Sequence, residues 1–171
     1  MDYVLIKSDR KTASITVNDS LQVVVRAPKY ARKSDIDRFV NSNVNAIMRM
    51  LEHKKSQLEK YNVSDYELSE LIKSAKKVIP ERVDYYSDIL GLKPTAVKIT
   101  KAKKRFGSCS SKNSLCFSCY LMLYPPEAVD YVVVHELAHI KHHNHSKSFY
   151  NLIEKYMPDY KQREKLLKAD N

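Results

Sequence analysis

The 171-residue sequence predicts an α+β fold, on three observations. Short β-branched runs occupy the start and again the middle of the chain, and between and after them lie long stretches with apolar residues at helical spacing. The composition, 43% hydrophobic and 29% charged, is that of a chain able to bury a core. The expected organisation is an N-terminal part over residues 1–66, strands plus a helix, followed by residues 67–171, either as two units or as one compact unit.

Val4-Leu5-Ile6 and residues 13–17 and 21–25 read as strands, with Asn18-Asp19-Ser20 as a hairpin turn. Ala27-Pro28 closes that sheet, because proline cannot donate to a ladder. Ser34-Asp35 is the expected N-cap of a helix carrying Ile36, Phe39, Val40, Val44, Ile47, Met48 and Leu51, which fades into a charged stretch or linker at 52–60. A second helix is predicted over 68–90, kinked or broken at Pro80 and capped by Gly91. Residues 96–101 and 115–123 read as strands joined by a tight, hydroxyl-rich connection at 107–113. Pro125-Pro126-Glu127 opens a helix that is apolar nearly all round and so should be buried. Two further helices follow, at 149–157, stopped by Pro158, and at 160–168.

Thirty Lys+Arg against 20 Asp+Glu give a formal net charge of +10. That excess permits nucleic acid, anionic lipid or an acidic substrate as partner without selecting one. No apolar run approaches a membrane span and the N-terminus lacks the pattern of a signal peptide. With three Cys, an odd number, the expectation is reduced thiols in a cytoplasmic protein. Two Gly, and neither phosphate-loop motif, disfavour a Gly-rich nucleotide site.

One segment carries chemistry: His135-Glu136-Leu137-Ala138-His139. On a helix, residues four apart differ by about 40° around the axis and about 6 Å along it, so both imidazoles can reach one ion. Glu136, about 100° away from His135, can reach a water activated by that ion without occupying a ligand position. Two His and a Glu in a buried helix are costly unless paired or metal-bound, which favours the metal reading over hydrogen-bonded core histidines.

A catalytic zinc site takes a third protein ligand, and His142, His143 and His145 are the candidates. On a continuous helix His143 would lie about 12 Å along the axis from His135, too far to share an ion. The chain must therefore turn after His139. Placing the turn at His142-His143-Asn144, residue types that tolerate left-handed backbone, favours His145 over the other two, with Asn144 or Ser146 capping the next helix.

The stretches Arg105-Phe106-Gly107-Ser108-Cys109-Ser110, Pro125-Pro126-Glu127, residues 130–139, residues 144–150 and residues 155–160 resemble the YgjP-like metallopeptidases, predicted metal-dependent hydrolases related to the SprT-like and WLM zincins. The likeness covers nearly the whole chain and is most specific from Arg105 to Tyr160. It implies a zincin-like α+β fold with a small antiparallel or mixed sheet packed on the active-site helix. It also implies His135, His139 and His145 as zinc (Zn2+) ligands and Glu136 as general base. Phe106 stands where the family commonly has Trp, and Cys116 and Cys119 are outside its pattern, which leaves substrate contacts rather than the metal positions in question.

Several other features have a plain structural reading beside a functional one. Cys116 and Cys119 form a CxxC, but residues three apart on a strand face opposite ways, so small buried side chains are expected there rather than a metal site. Cys109 reads as a packing or turn residue near the site. Lys98, Lys101, Lys103, Lys104 and Arg105 read as a solvated strand face, or as an attractor of anionic substrate or nucleic acid if they border the cleft. Arg105, Tyr150 and Tyr156 are candidates for substrate or transition-state contacts. Residues 115–123 are a candidate edge strand for aligning an extended peptide. The favoured function is a zinc-dependent hydrolase acting on polypeptide. The alternatives are hydrolysis of a nucleotide or other phosphoanhydride at the same site, and a nucleic-acid-binding module with a structural metal.

Overall fold

The computed structural model of the chain describes residues 1–167, so the last expected position of the C-terminal helix, Lys168, lies outside it. The fold is α+β and divides into two compact units, Met1–Asn62 and a second beginning at Val63. Among the described residues no helix is long and apolar enough to cross a membrane.

In the first unit β1 (Val4–Ser8), β2 (Ser14–Val17) and β3 (Val23–Pro28) form a mixed sheet of order β1-β3-β2, with β1 parallel and β2 antiparallel to β3. The turn between β2 and β3 is built by Asn18, whose side-chain oxygen accepts from the backbone N–H groups of Ser20 (3.0 Å) and Gln22 (2.9 Å). Val23, Val25 and Ala27 pack with Ile36, Val40 and Ile47 as the core.

The single helix expected from residue 34 onwards is two helices, α1 (Lys33–Ser42) and α2 (Val44–Lys60). Asn43 divides them: its side-chain amide donates to the Phe39 carbonyl at 2.8 Å, competing with the helical ladder. The N-cap position of α1 is Arg32 rather than Ser34 and has no side-chain cap bond, and residues 52–60 are helix rather than linker.

The second unit opens with α3 (Asp65–Leu90), 26 residues long. Its start, three residues earlier than expected, is a capping box in which Ser64 and Glu67 each bond the other's backbone N–H. The helix does not break at Pro80. Ile79 and Val83, both fully buried, anchor the turns around the proline, and that packing offsets the missing backbone bond. Gly91 caps the end in the left-handed region, φ 68°.

A second mixed sheet holds β4 (Ala96–Thr100), β5 (Gly107–Cys109) and β6 (Ser114–Ser118), in the order β4-β6-β5. Two expectations are corrected here. The connection at 107–113 contains strand β5, and the run 115–123 stops being strand at Ser118, whose hydroxyl donates to the Ala102 carbonyl (2.6 Å) and accepts from the Tyr120 N–H (3.3 Å). That pair of bonds turns the chain into a 3-10 segment, Cys119–Leu123. Strand β6 is therefore central, paired with β4 on one side and β5 on the other, and cannot be the peptide-aligning edge.

Helix α4 (Pro126–Lys141) is buried along most of its length, from Ala128 to Val134 and again at Glu136, Leu137 and Ala138. Strand β5 and helices α5 (Lys147–Tyr156) and α6 (Tyr160–Leu166) pack against it. One carboxylate ties three helices together: Asp130 of α4, 6% exposed, accepts from Arg82 Nε (2.6 Å) and Tyr86 Oη (3.0 Å) of α3 and lies 3.6 Å from Arg163 Nη1 of α6.

Candidate metal centre

Helix α4 carries His135 and His139 one turn apart on one face. It ends at His142, which is extended (φ −131°, ψ 98°), and the chain doubles back through 143–146 into α5. The reversal falls where the sequence placed it but uses no left-handed residue: the only positive-φ residues other than glycine among those described are Leu21 and Asn113. Ser146 holds the N-cap position of α5 without a side-chain cap bond.

The turn delivers His145. Its Nε2 lies 3.1 Å from Nε2 of His135, and one ring nitrogen from each of His135, His139 and His145 falls within 4.8 Å of the others. Two nitrogens about 2.1 Å from one tetrahedral ion sit about 3.4 Å apart, so the observed separation fits a shared divalent cation. Three imidazoles are a donor set suited to first-row transition ions. His143 lines the cleft above the site, and His142 contributes its backbone carbonyl, 3.0 Å from His139 Nδ1. With a proton on Nδ1, His139 turns the lone pair of Nε2 towards the cluster.

Burial holds His135 neutral, its pKa pushed down to about 3, with His139 and His145 adding to the effect. Burial also lowers His139. An imidazole must be unprotonated to bind a cation, and this burial favours that form in both residues.

Glu136 is buried at 6% exposure, and its Oε2 has no hydrogen-bond partner in the fold. Burial raises its pKa to about 7, opposed by the nearby positive charge of Arg105. It fits because residue 107 is glycine: a Cβ there would lie 2.6 Å from both Cγ and Oε1 of Glu136. Two hollows share His135, Glu136 and Gly107. One, about 340 Å³, lies over the imidazoles and is walled by Ser108 and Cys109, and the other, about 280 Å³, lies towards Phe106 and Tyr131.

The remaining candidates separate. Tyr150 stacks on His145 with ring centroids 6.2 Å apart, and Arg105 is exposed but close enough for its charge to act on Glu136. Tyr156 packs its ring under the Lys155 ammonium, 5.0 Å from the centroid, and lines neither hollow. Cys116 is half-buried on β6 and Cys119 is buried in the 3-10 segment, and neither joins the ligand cluster found among the described residues. Cys109 lines the hollow over the imidazoles as a free thiol, raised by burial and then by Glu136.

Sequence reasoning passed over three residues that shape the site. Phe149, fully buried, touches all three imidazole rings at centroid distances of 4.9, 4.5 and 4.9 Å. Tyr131, one turn before His135, places its hydroxyl 3.5 Å from His135 Nδ1. Gly107 makes room for Glu136. The spacing Tyr131–His135 was a readable signal, whereas the other two are visible only in three dimensions.

Helix-borne imidazoles closed by a third from the following turn, with a carboxylate left over beside them, place the chain among metal-dependent hydrolases. The family is given by sequence: residues 67–170 match the YgjP-like, metallopeptidase domain, and the chain belongs to that family. No curated protein matches the sequence. Two crystal structures of metallopeptidase zymogens are similar to part of it. Abylysin of Pyrococcus abyssi is 26% identical with a TM-score of 0.49, over 54% of this chain and 93% of that one. Jannalysin of Methanocaldococcus jannaschii is 25% identical with a TM-score of 0.48, over 54% and 97%.

Proposed function

We propose that the chain is a zinc-dependent peptidase in which His135, His139 and His145 hold the ion and Glu136 is the general base. The observation that carries this reading is the buried Glu136 carboxylate, which has one oxygen without a partner and opens on the hollow beside the three imidazoles. A zinc ion bound there would act as a Lewis acid towards water and the substrate carbonyl. Glu136 takes a proton from the water that attacks that carbonyl and returns it to the leaving amine. Burial raises the affinity of this carboxylate for a proton, which suits it to the role of base. Tyr150, stacked on His145, and Arg105, whose charge acts on Glu136, are our candidates for meeting developing charge on the substrate.

Strand β5 supplies an edge for the peptide. Ser110 N–H donates to the Ser114 carbonyl and Ser118 N–H to the Phe106 carbonyl, so residues 106 and 110 face β6. By antiparallel alternation Gly107 and Cys109 turn their peptide groups to the other side, along the hollow that β5 walls. An extended peptide pairing there would pass its backbone beside Glu136.

The test is zinc-loaded protein offered unfolded polypeptides and, separately, nucleotides. Peptide-bond cleavage that is lost in Glu136→Gln, with zinc still bound, is the expected result. Hydrolysis of nucleotides alone, or full activity in Glu136→Gln, would overturn it.

A further inference from the structure

From Gly91 to Pro125, the stretch that carries β4, β5 and β6, the sequence holds seven basic residues and no acidic one. Four of the seven fall within 101–105, in the connection between β4 and β5. Ser118 clasps that connection at two points: its hydroxyl donates to the Ala102 carbonyl (2.6 Å) and its backbone N–H to the Phe106 carbonyl (2.8 Å). Lys101, Lys103 and Arg105 are exposed on it, with the Lys103 ammonium 5.7 Å from the centre of the Tyr120 ring. The connection leads into Gly107, whose missing side chain makes room for Glu136, and the charge of Arg105 acts on that carboxylate. The basic run therefore borders the cleft rather than a remote face of the sheet.

We infer that the loop 101–105 recognises acidic side chains on one flank of the cleaved bond, so that the substrates are acidic polypeptide segments. The inference rests on the peptidase reading above. Arg105 stands two residues and Lys103 four residues before Gly107, the position beside Glu136. A peptide extended along β5 would carry over the loop its residues about two to four positions from the bond, on the flank that runs past Gly107. Carboxylates there come within a Debye length, about 8 Å at physiological ionic strength, of Lys103 and Arg105. A cleft bordered by one sign of charge also concentrates the oppositely charged substrate before it docks.

Nucleic acid is the other polyanion that a basic loop attracts, and the rings around this one favour the peptide. Binding of single strands adds stacking of bases on exposed aromatic side chains to the attraction of charge. Here Tyr120 is buried, at 3% exposure, and Phe106 packs edge to face on Tyr124 with centroids 4.9 Å apart. The loop thus offers cations without a stacking platform, next to a strand suited to an extended backbone.

The test measures binding of fluorescent peptides to full-length, zinc-loaded Glu136→Gln protein, so that affinity is read without turnover, and then cleavage of the same peptides by wild type. The peptides differ only in carrying aspartate or serine at about two to four residues from one bond, on one flank or the other. Aspartate on one flank alone should tighten binding about tenfold at about 50 mM salt, and the gain should vanish near about 500 mM. Lys101→Ser/Lys103→Ser should abolish the gain, and Lys101→Glu/Lys103→Glu should reverse it, circular dichroism confirming that each variant is folded. Lys76→Ser/Lys77→Ser removes the same charge from exposed positions of α3 that line neither hollow, and should keep the gain. Equal binding of aspartate and serine peptides, a gain indifferent to flank, or an equal loss in the α3 variant overturns the assignment. So does an oligonucleotide whose binding needs Lys101 and Lys103 when the peptides bind alike. Each of these leaves the peptidase reading intact, whereas wild type that cleaves no polypeptide overturns both.

Discussion

Gly107 and Glu136 occupy one volume: the space a Cβ at residue 107 would fill, 2.6 Å from Cγ and Oε1 of Glu136, is where the carboxylate lies. Strand β5 and the Glu136 carboxylate are thus fitted to each other through the absence of a side chain. Gly107→Ala should displace the carboxylate and lower turnover by about a hundredfold, the scale of a 1 Å misplacement. Zinc affinity should change little, since no imidazole is touched. Steady-state kinetics beside a metal titration separates the two effects, and an alanine variant with normal turnover would mean that Glu136 is not confined as described.

The choice of third ligand gives a paired prediction. His145→Ala removes the nitrogen 3.1 Å from His135 Nε2 and should weaken zinc binding by a hundredfold or more, as loss of one of three donors must. His143→Ala, at the rim of the same hollow, should leave zinc affinity within about threefold. Competition titration against a chromophoric chelator measures both. The reverse order would move the ligand assignment to His143.

Asp130 offers a test of the scaffold apart from the chemistry. It is buried among Arg82, Tyr86 and Arg163, and Asp130→Ala leaves those partners without their shared acceptor. The expected loss is about 3 kcal/mol, the low end for breaking a buried pair, because both arginines retain some contact with water. Denaturant unfolding reads the loss directly, and a change below about 1 kcal/mol would show that α6 is held by other contacts.

Glu136 makes the metal-free protein respond to pH in a direction that can be fixed in advance. Its folded pKa, about 7, lies above the ordinary 4.5, so between those values the folded state holds the extra proton. The stability it contributes is complete below pH 4.5 and is lost as pH rises through 7, with a ceiling on the order of 3 kcal/mol. His135 runs the opposite way: its folded value of about 3 lies below 6.5, so its contribution is present above 6.5 and is lost on acidification. Comparing melting temperatures of metal-free wild type and Glu136→Gln from pH 4.5 to 8 isolates the Glu136 part. Wild type should gain relative to the variant as pH falls, and parallel curves would show that burial does not raise Glu136.

What could be read from sequence was what local periodicity and steric reach determine. The pair His135 and His139 follows from helical geometry alone, and the return of His145 follows from the distance a straight helix would have imposed. The α+β class followed from the alternation of β-branched runs and helical stripes. What escaped depended on side chains bonding to backbone or on contacts distant in sequence. Asn43 divides a helix through one amide bond to Phe39, and Ser118 ends a strand whose composition continues to look extended as far as Leu123. Pro80 taken locally predicts a kink or a break, which the burial of Ile79 and Val83 offsets. Phe149 and Gly107 acquire roles at the site only when α5 and β5 are brought against α4.

Anomalous X-ray diffraction above and below the zinc absorption edge, on crystals of zinc-loaded protein, tests the central claim most directly. The claim predicts one strong peak within bonding distance of His135, His139 and His145, with Glu136 outside the ligand sphere. A peak elsewhere, or one at the site whose remaining position is filled by a protein group such as the Cys109 thiol, would contradict it.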